Sequence, residues 1–210
     1  MPIHLRPLTT SSIPATALVA ASAFSTEPVI MHLCPFLHDF WDDFVASYER
    51  RIQGRLFSPG WIVMIAVETH EDGSEEVVGY AGWERIGDSK EAERWKGAVG
   101  GDRSLSREKL DSFMAAMGEN FPDTEYPDLL YLATLAVHPS HQRRGIGQKL
   151  LSWGLEHARK EGVPVGTEAS SVGEGLYTKN GFGVIKQVVW DAERGDEGRS
   201  PVMLWKPVKG

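Results

Sequence analysis

Gln142-Arg143-Arg144-Gly145-Ile146-Gly147-Gln148-Lys149 is the stretch that decides how this chain is read. Before it lies Leu129–Val137, a mostly apolar run long enough for a buried strand, and then the turn His138-Pro139-Ser140. After it, Ile146, Leu150, Trp153 and Ala158 recur at helical spacing as far as about Lys160, and Gly162 and Pro164 supply stop signals. The stretch is therefore a strand-to-helix turn. Its two glycines remove side chains where the backbone enters the helix. The free N–H groups of the first helical turn then point outward, with the positive end of the helix dipole behind them. That is a cradle for a phosphate or pyrophosphate, and Arg143, Arg144 and Lys149 place full positive charges beside it.

Working outward, Ile3–Leu8 alternates apolar and polar residues and suits a first strand. Ile13–Ala23 is a helix opened by Ser12, with Pro14 in its first turn, and Thr26-Glu27-Pro28 is a break. After Pro35, a second helix runs to about Arg51, with Phe36, Phe40, Trp41 and Phe44 as packing residues. Ile62–Val67 and Val77–Trp83 form a hairpin across Glu71-Asp72-Gly73. The charged stretch Asp88–Asp123 reads as a surface insertion with short helices around Lys90–Trp95 and Ser106–Met117. Val165–Glu168 is a short strand, Gly173–Lys179 a short helix, Phe182–Trp190 a strand and Val202–Trp205 the last strand. That order predicts an α/β domain with a mixed sheet. No repeat or linker divides it, so residues 1–210 are expected to be one domain.

Composition narrows the function classes. Hydrophobic residues make up 41% of the 210 and charged residues 24%, enough for a folded core. The net charge of -7 argues against wrapping a nucleic acid. The charge is unevenly spread: His138–Lys160 carries +4 and the rest of the chain -11. A short anion on one helix end is compatible with that distribution, and the acidic remainder favours a cationic partner. The single cysteine, Cys34, excludes an internal disulfide. His138 and His141 have no third ligand in sight, so no metal is expected. No apolar run reaches membrane-spanning length and the N-terminus lacks signal-peptide features, so the expectation is a soluble, cytoplasmic protein without a membrane partner.

Three kinds of phosphate loop compete for the glycine turn. A Walker A loop needs Lys-Ser/Thr directly after its second glycine, where this chain has Gln148-Lys149-Leu150. A dinucleotide fingerprint needs a third glycine where Leu150 stands. The pattern Gln/Arg-x-x-Gly-x-Gly/Ala does fit. With Leu135-Ala136-Val137-His138-Pro139 before it and Leu176-Tyr177-Thr178-Lys179-Asn180-Gly181-Phe182 after it, the chain resembles the GCN5-related N-acetyltransferase (GNAT) family, in its fungal small-molecule form.

The resemblance implies a GNAT fold, a mixed central sheet splayed between its fourth and fifth strands and flanked by helices. An acetyl-CoA-binding core would span about 129–182, with the insertion at about 86–127. Backbone groups of Leu135 and Val137 would pair with pantetheine, and a backbone N–H near Leu135 or Ala136 would face the reaction's oxyanion. Gln142, Arg143, Arg144, Gly145, Ile146, Gly147 and Gln148 would hold the pyrophosphate, one of the two arginines touching phosphate. Tyr177 would be the general acid, and Ser170 stands where the family often has an asparagine. The resemblance also implies direct transfer of acetyl from acetyl-CoA to the primary amine of a small molecule in a ternary complex, by a monomer or homodimer and without a metal.

One departure matters. Several family members carry a carboxylate or imidazole on the fourth strand, at the positions of Tyr131 and Ala133 here. A base for the incoming amine would then come from elsewhere: Glu84, Glu168 and Glu27 are the candidates, with a chain of waters ending at Glu84 or Glu168, or a substrate that arrives already neutral, as alternatives. Two further readings stay open: a non-catalytic acyl-CoA-binding module, and an acetyltransferase acting on a protein amine.

Overall fold

Leu130 pairs with Val165 and Tyr131 with Gly166, and there the only parallel ladder among the described residues ends. The computed structural model describes residues 1–58, 60–87, 104, 106, 108–110, 112–113, 120–121 and 125–207. Along the chain come β1 (Ile3–Pro7), α1 (Ile13–Phe24), α2 (Pro28–Leu33), α3 (Trp41–Phe57), β2 (Trp61–Thr69) and β3 (Glu75–Gly87). These are followed by β4 (Asp128–Val137), α4 (Ile146–Glu161), β5 (Val165–Glu168), α5 (Glu174–Lys179), β6 (Gly183–Val189) and β7 (Arg199–Trp205). The seven strands lie in the order β1-β2-β3-β4-β5-β7-β6, antiparallel except at β4–β5. This is the expected mixed α/β architecture. No β5 residue pairs with β4 beyond Tyr131, which fits the expected splay.

The sheet is covered on both faces. Ile146, Leu150, Leu151, Leu155 and Ala158 form one stripe of α4, and they bury against Met64, Ala66, Val78, Ala81, Trp83 and Leu132. On the opposite face, α1 and α3 bury Ala17, Ala20, Phe44, Tyr48 and Ile52 against Val63, Ile65, Val67, Tyr80 and Ala136. A bulge in β4 decides which residues meet which face. Trp83 opposes Leu132 and Gly82 opposes Thr134, so Ala133 is the extra residue. Leu132 therefore joins the α4 side, while Ala136 joins the α1–α3 side and Thr134 meets α3 through Arg55.

Several local expectations are corrected. Ser12 does not cap α1: a 3-10 turn over Thr10–Ser12 runs straight into the helix, and the Ser12 hydroxyl instead meets Thr9 and Arg6. Pro28 does not merely break the chain. It opens the short helix α2, because the first helical position needs no N–H donor. The second expected helix starts at Trp41 rather than Phe36, and it runs to Phe57. Phe44 is buried, but Phe36 and Phe40 are exposed in the turn before it. Between β3 and β4, the segment expected around Lys90–Trp95 lies outside the described residues, as do 114–117 of the one expected at Ser106–Met117. Residues 108–110 and 112–113 are helical. This stretch is not only a solvated surface: Ser104 and Phe121 are buried, and Phe121 packs against Tyr126 and Tyr131. Among the described residues, no helix is long and apolar enough to cross a membrane.

Helix α4 approaches the sheet closely at Gly154, where a Cβ would stand 2.2 Å from the Trp83 ring. Trp83 is fully buried and has nowhere to move. Gly154→Ala is therefore expected to destabilise the protein by about 1–3 kcal/mol, despite alanine's better helix propensity. The urea unfolding midpoint of the variant checks this.

Candidate active site

The turn from β4 into α4 is built on two left-handed residues, Arg143 (φ 61°) and Gly145 (φ 79°). Glycine adopts this conformation freely, and arginine does so at a cost. The first helical bond runs from the Lys149 N–H to the Gly145 carbonyl, so the amides at the start of α4 have no partner within the helix. Gln142 ties the loop back to the strand by donating from Nε2 to the Val137 carbonyl at 3.2 Å. Gln148 and Asn180 exchange side-chain amide hydrogen bonds at 2.7 and 2.9 Å, fastening the helix start to the end of α5.

The two arginines of the turn part ways. Arg144 forms a two-pronged pair with Glu68 on β2, one contact at 3.1 Å, and His141 Nε2 reaches the same carboxylate at 3.1 Å. Glu68 is almost inaccessible to solvent (2%), and the Arg144 hydrogen bonds hold its carboxyl below the usual range. The Arg144 side chain is thus directed away from the cavity beside the turn. Arg143 is exposed and lines that cavity with Gln142, Gly145, Ile146, Gly147 and Gln148. Lys149 donates to the Ile3 carbonyl at 3.1 Å and serves the β1 edge. Glu68, Glu76 and His141 cluster within 4.8 Å, yet both oxygens of Glu68 are already engaged by Arg144 and His141.

The cavity measures about 560 Å³. One wall is β4 from Leu132 to Val137, the part that no longer pairs with β5. Its other walls come from the end of α1, from α2, α3, the end of β5 and α5. Among the expected cofactor contacts, Leu135, Ala136, Val137 and Ser170 all line it. Tyr177 lies in it too, 6% exposed. Burial pushes the Tyr177 phenol up to about 12; the Glu27 carboxylate works in the same direction and Thr167 opposes it.

The three candidate carboxylates differ sharply. Glu27 closes the gap between α1 and α2 and lines the cavity. Its Oε1 accepts from the Ser170 hydroxyl at 3.3 Å, while its buried Oε2 has no hydrogen-bond partner. Burial raises its carboxyl above the ordinary range, partly offset by Ser170. Glu168 also lines the cavity, but both its oxygens are taken, one by the Tyr131 hydroxyl and one by Asn120 Nδ2 at 2.8 Å. Burial and the Glu168 charge push the Tyr131 phenol well above its ordinary value, so it holds its proton. Glu84 is half-buried in β3 opposite Tyr131 and is not among the lining residues. Burial raises its carboxyl and Arg55 opposes the shift.

In the sequence the aromatic second helix is a candidate wall for the acceptor pocket through Phe36, Phe40, Trp41 and Phe44, none of which lines the cavity; sequence reasoning missed the α3 residues that do. Tyr48, Arg51 and Arg55 line the cavity from one face of that helix, and Tyr80 and Phe113 join them. The helical spacing of Tyr48, Arg51 and Arg55 was visible in the chain, but it pointed to no ligand.

A GNAT acetyltransferase domain model matches residues 109–184. A protein named acetyltransferase from the fungus Stachybotrys chartarum is 30% identical over 182 residues, which cover 82% of this chain and 76% of that protein. This chain belongs to the GNAT acetyltransferases. Solved structures share its fold. One described as histone acetyltransferase HPA2 and related acetyltransferase, from Corynebacterium glutamicum, aligns with TM-score 0.66 at 21% identity, covering 100% of this chain and 99% of that one. The PaiA N-acetyltransferase of Thermoplasma acidophilum, solved with coenzyme A, aligns with TM-score 0.57 at 16% identity over 98% and 99% of the two chains.

The separation of the two arginines is testable. Arg144→Ala strands the Glu68 carboxylate and is expected to lower the melting temperature near neutral pH, whereas Arg143→Ala leaves it unmoved. Glu68 has a depressed carboxyl, so its contribution is present above the ordinary carboxylate range and is lost as pH falls through the lowered value. The gap in melting temperature between wild type and Arg144→Ala should therefore close on acidification, which a thermal melt series across pH measures.

Proposed function

We propose that this GNAT acetyltransferase moves acetyl from acetyl-CoA to the primary amine of a small molecule by direct attack in a ternary complex. The observation that carries the reading is a single cavity lined both by the glycine turn at the start of α4 and by a carboxylate with an unpartnered oxygen near a buried phenol. The residues present fit the cosubstrate. Unpaired amides and the exposed Arg143 suit pyrophosphate, and the unpaired edge of β4 suits the amides of pantetheine. Solved relatives hold coenzyme A or acetyl-CoA, as in PaiA and in the YncA acetyltransferase of Salmonella typhimurium, the latter aligned with TM-score 0.53 at 20% identity.

Acetyl-CoA supplies the acetyl group as an activated thioester. Glu27 takes the proton of the incoming amine, and its raised carboxyl suits that task better than an ordinary carboxylate. A backbone N–H near Leu135 or Ala136 stabilises the charge that develops on the carbonyl oxygen. Tyr177, neutral over the working pH range, gives a proton to the departing sulfur. Glu168 holds the β4–β5 end together through Tyr131 and Asn120. The main support for a non-catalytic module was the lack of a base at positions 131 and 133; Glu27 supplies one from another element.

Release of coenzyme A, followed with a thiol reagent across a panel of amines, tests the reading. Binding of acetyl-CoA in a titration without release from any amine would return the protein to the class of binding modules. Tyr177→Phe is expected to lower kcat about 100-fold while leaving acetyl-CoA affinity unchanged; equal losses in both would remove its role as acid. Glu27→Gln should lower kcat/KM about 100-fold. In the wild type, kcat/KM rises with pH as Glu27 ionises, at a pH above the ordinary carboxylate range, and that limb should vanish in the variant.

A further inference from the structure

Among the described residues, the charged groups lining the cavity are Glu27 and Glu168 against Arg51, Arg55 and Arg143. Most are accounted for. Glu168 is hydrogen-bonded on both oxygens. Arg143 stands at the phosphate cradle. Arg55 donates from Nη1 to the Thr134 hydroxyl at 2.6 Å, lies over the Trp61 ring at 4.5 Å and offsets the charge of Glu84.

Two groups remain. Glu27 has an oxygen without a partner, and Arg51 has no ion pair or hydrogen bond among the described residues. The Arg51 guanidinium lies over the Tyr48 ring, 5.2 Å from its centroid. They stand on different walls, Glu27 before α2 and Arg51 on α3, and they do not pair with each other. Between these elements the lining is apolar or aromatic: Phe24, Val29, Ile30, Tyr48 and Phe113. A half-buried charge facing a largely apolar cavity loses water without gaining a partner, so a ligand that supplies the opposite charge is favoured there. Glu27 calls for a cation, which the acceptor amine provides. Arg51 calls for an anion, and its planar fork matches a carboxylate. One unpaired acid and one unpaired base balance a ligand carrying one charge of each sign.

Resting on the acetyltransferase reading of this cavity, we propose that the acceptor is an amino acid-like amine, whose carboxylate is held by Arg51 while its amine faces Glu27. Arg51 is then a specificity-determining residue, with Arg55 one turn away adding positive potential. The apolar lining between the two charges takes the carbon skeleton.

The experiment uses the full chain with acetyl-CoA and matched pairs of acceptors differing only in the carboxylate. These are α-amino acids against their decarboxylated amines, and ω-amino acids from β-alanine to ε-aminocaproate against the corresponding alkylamines. At least one pair is expected to favour the carboxylate member by about tenfold or more in kcat/KM, the effect of one hydrogen-bonded ion pair. Arg51→Gln should abolish that preference by depressing the carboxylate member selectively, and Arg51→Lys should restore part of it. A melting curve confirms that both variants are folded. If neutral amines are used as well as their carboxylate partners in every pair, the inference fails and the acetyltransferase reading stands. If Arg51→Gln weakens acetyl-CoA binding, or slows both members of a pair equally, Arg51 serves the cosubstrate and the inference fails again. If acetyl-CoA binds but no acceptor releases coenzyme A, the acetyltransferase reading itself falls, and the inference with it.

Discussion

The parallel ladder between β4 and β5 spans two residue pairs, and the rest of the site follows from that brevity. Beyond Tyr131 the ladder with β5 stops: the Leu132 carbonyl accepts from the Thr167 hydroxyl at 2.9 Å and the Val137 carbonyl from Gln142 Nε2, and any backbone groups left between them are costly to bury without a partner. A ligand with amide groups satisfies them as an added strand would. The cavity that opens there receives the start of α4 at one end and the α1–α2 junction with α3 at the other. A sheet fully paired at this position would have no such cavity. The bulge at Ala133 works with the ladder: it shifts the side-chain alternation so that Thr134 and Ala136 face the α1–α3 layer while Leu132 keeps the α4 core intact.

Electrostatics then distinguishes the groups around the cavity. Positive potential at its cradle end comes from backbone amides and Arg143, and Arg144 is spent on Glu68 to secure the loop. At the other end the protein tolerates an unsatisfied carboxylate at Glu27, which burial holds above the ordinary range. Local strain and unmet polar groups of this kind persist where chemistry needs them and the surrounding core is firm enough to hold them. Here the firmness comes from packing such as Trp83 against Gly154.

The parts of the site legible in the chain were those whose residues are neighbours in sequence. The glycine turn from Gln142 to Gln148 and the Leu176–Phe182 element each carry their own local signals, and the strands and helices around them lay close to where periodicity put them. The departures were local as well. Pro28 reads as a break because proline stops a helix interior, and only the observed first-turn position shows it starting one. Phe36 and Phe40 share helical spacing with Phe44, but the chain turns before Trp41 and leaves both exposed.

By itself the sequence determined the architecture, the glycine turn at the start of α4 and the family, because helical and strand periodicity and a glycine turn are written in adjacent residues. Only the tertiary structure decided among the charges. Glu27, Glu84 and Glu168 look alike in the chain, as do Arg143 and Arg144. What separates them is which oxygen or guanidinium finds a partner or a nearby opposite charge, and those groups (Ser170 for Glu27, Tyr131 for Glu168, Glu68 for Arg144, the Arg55 charge for Glu84) lie on other elements and far along the chain. Burial and pairing of a charge are properties of the packed arrangement, so no reading of neighbouring residues could have ranked them.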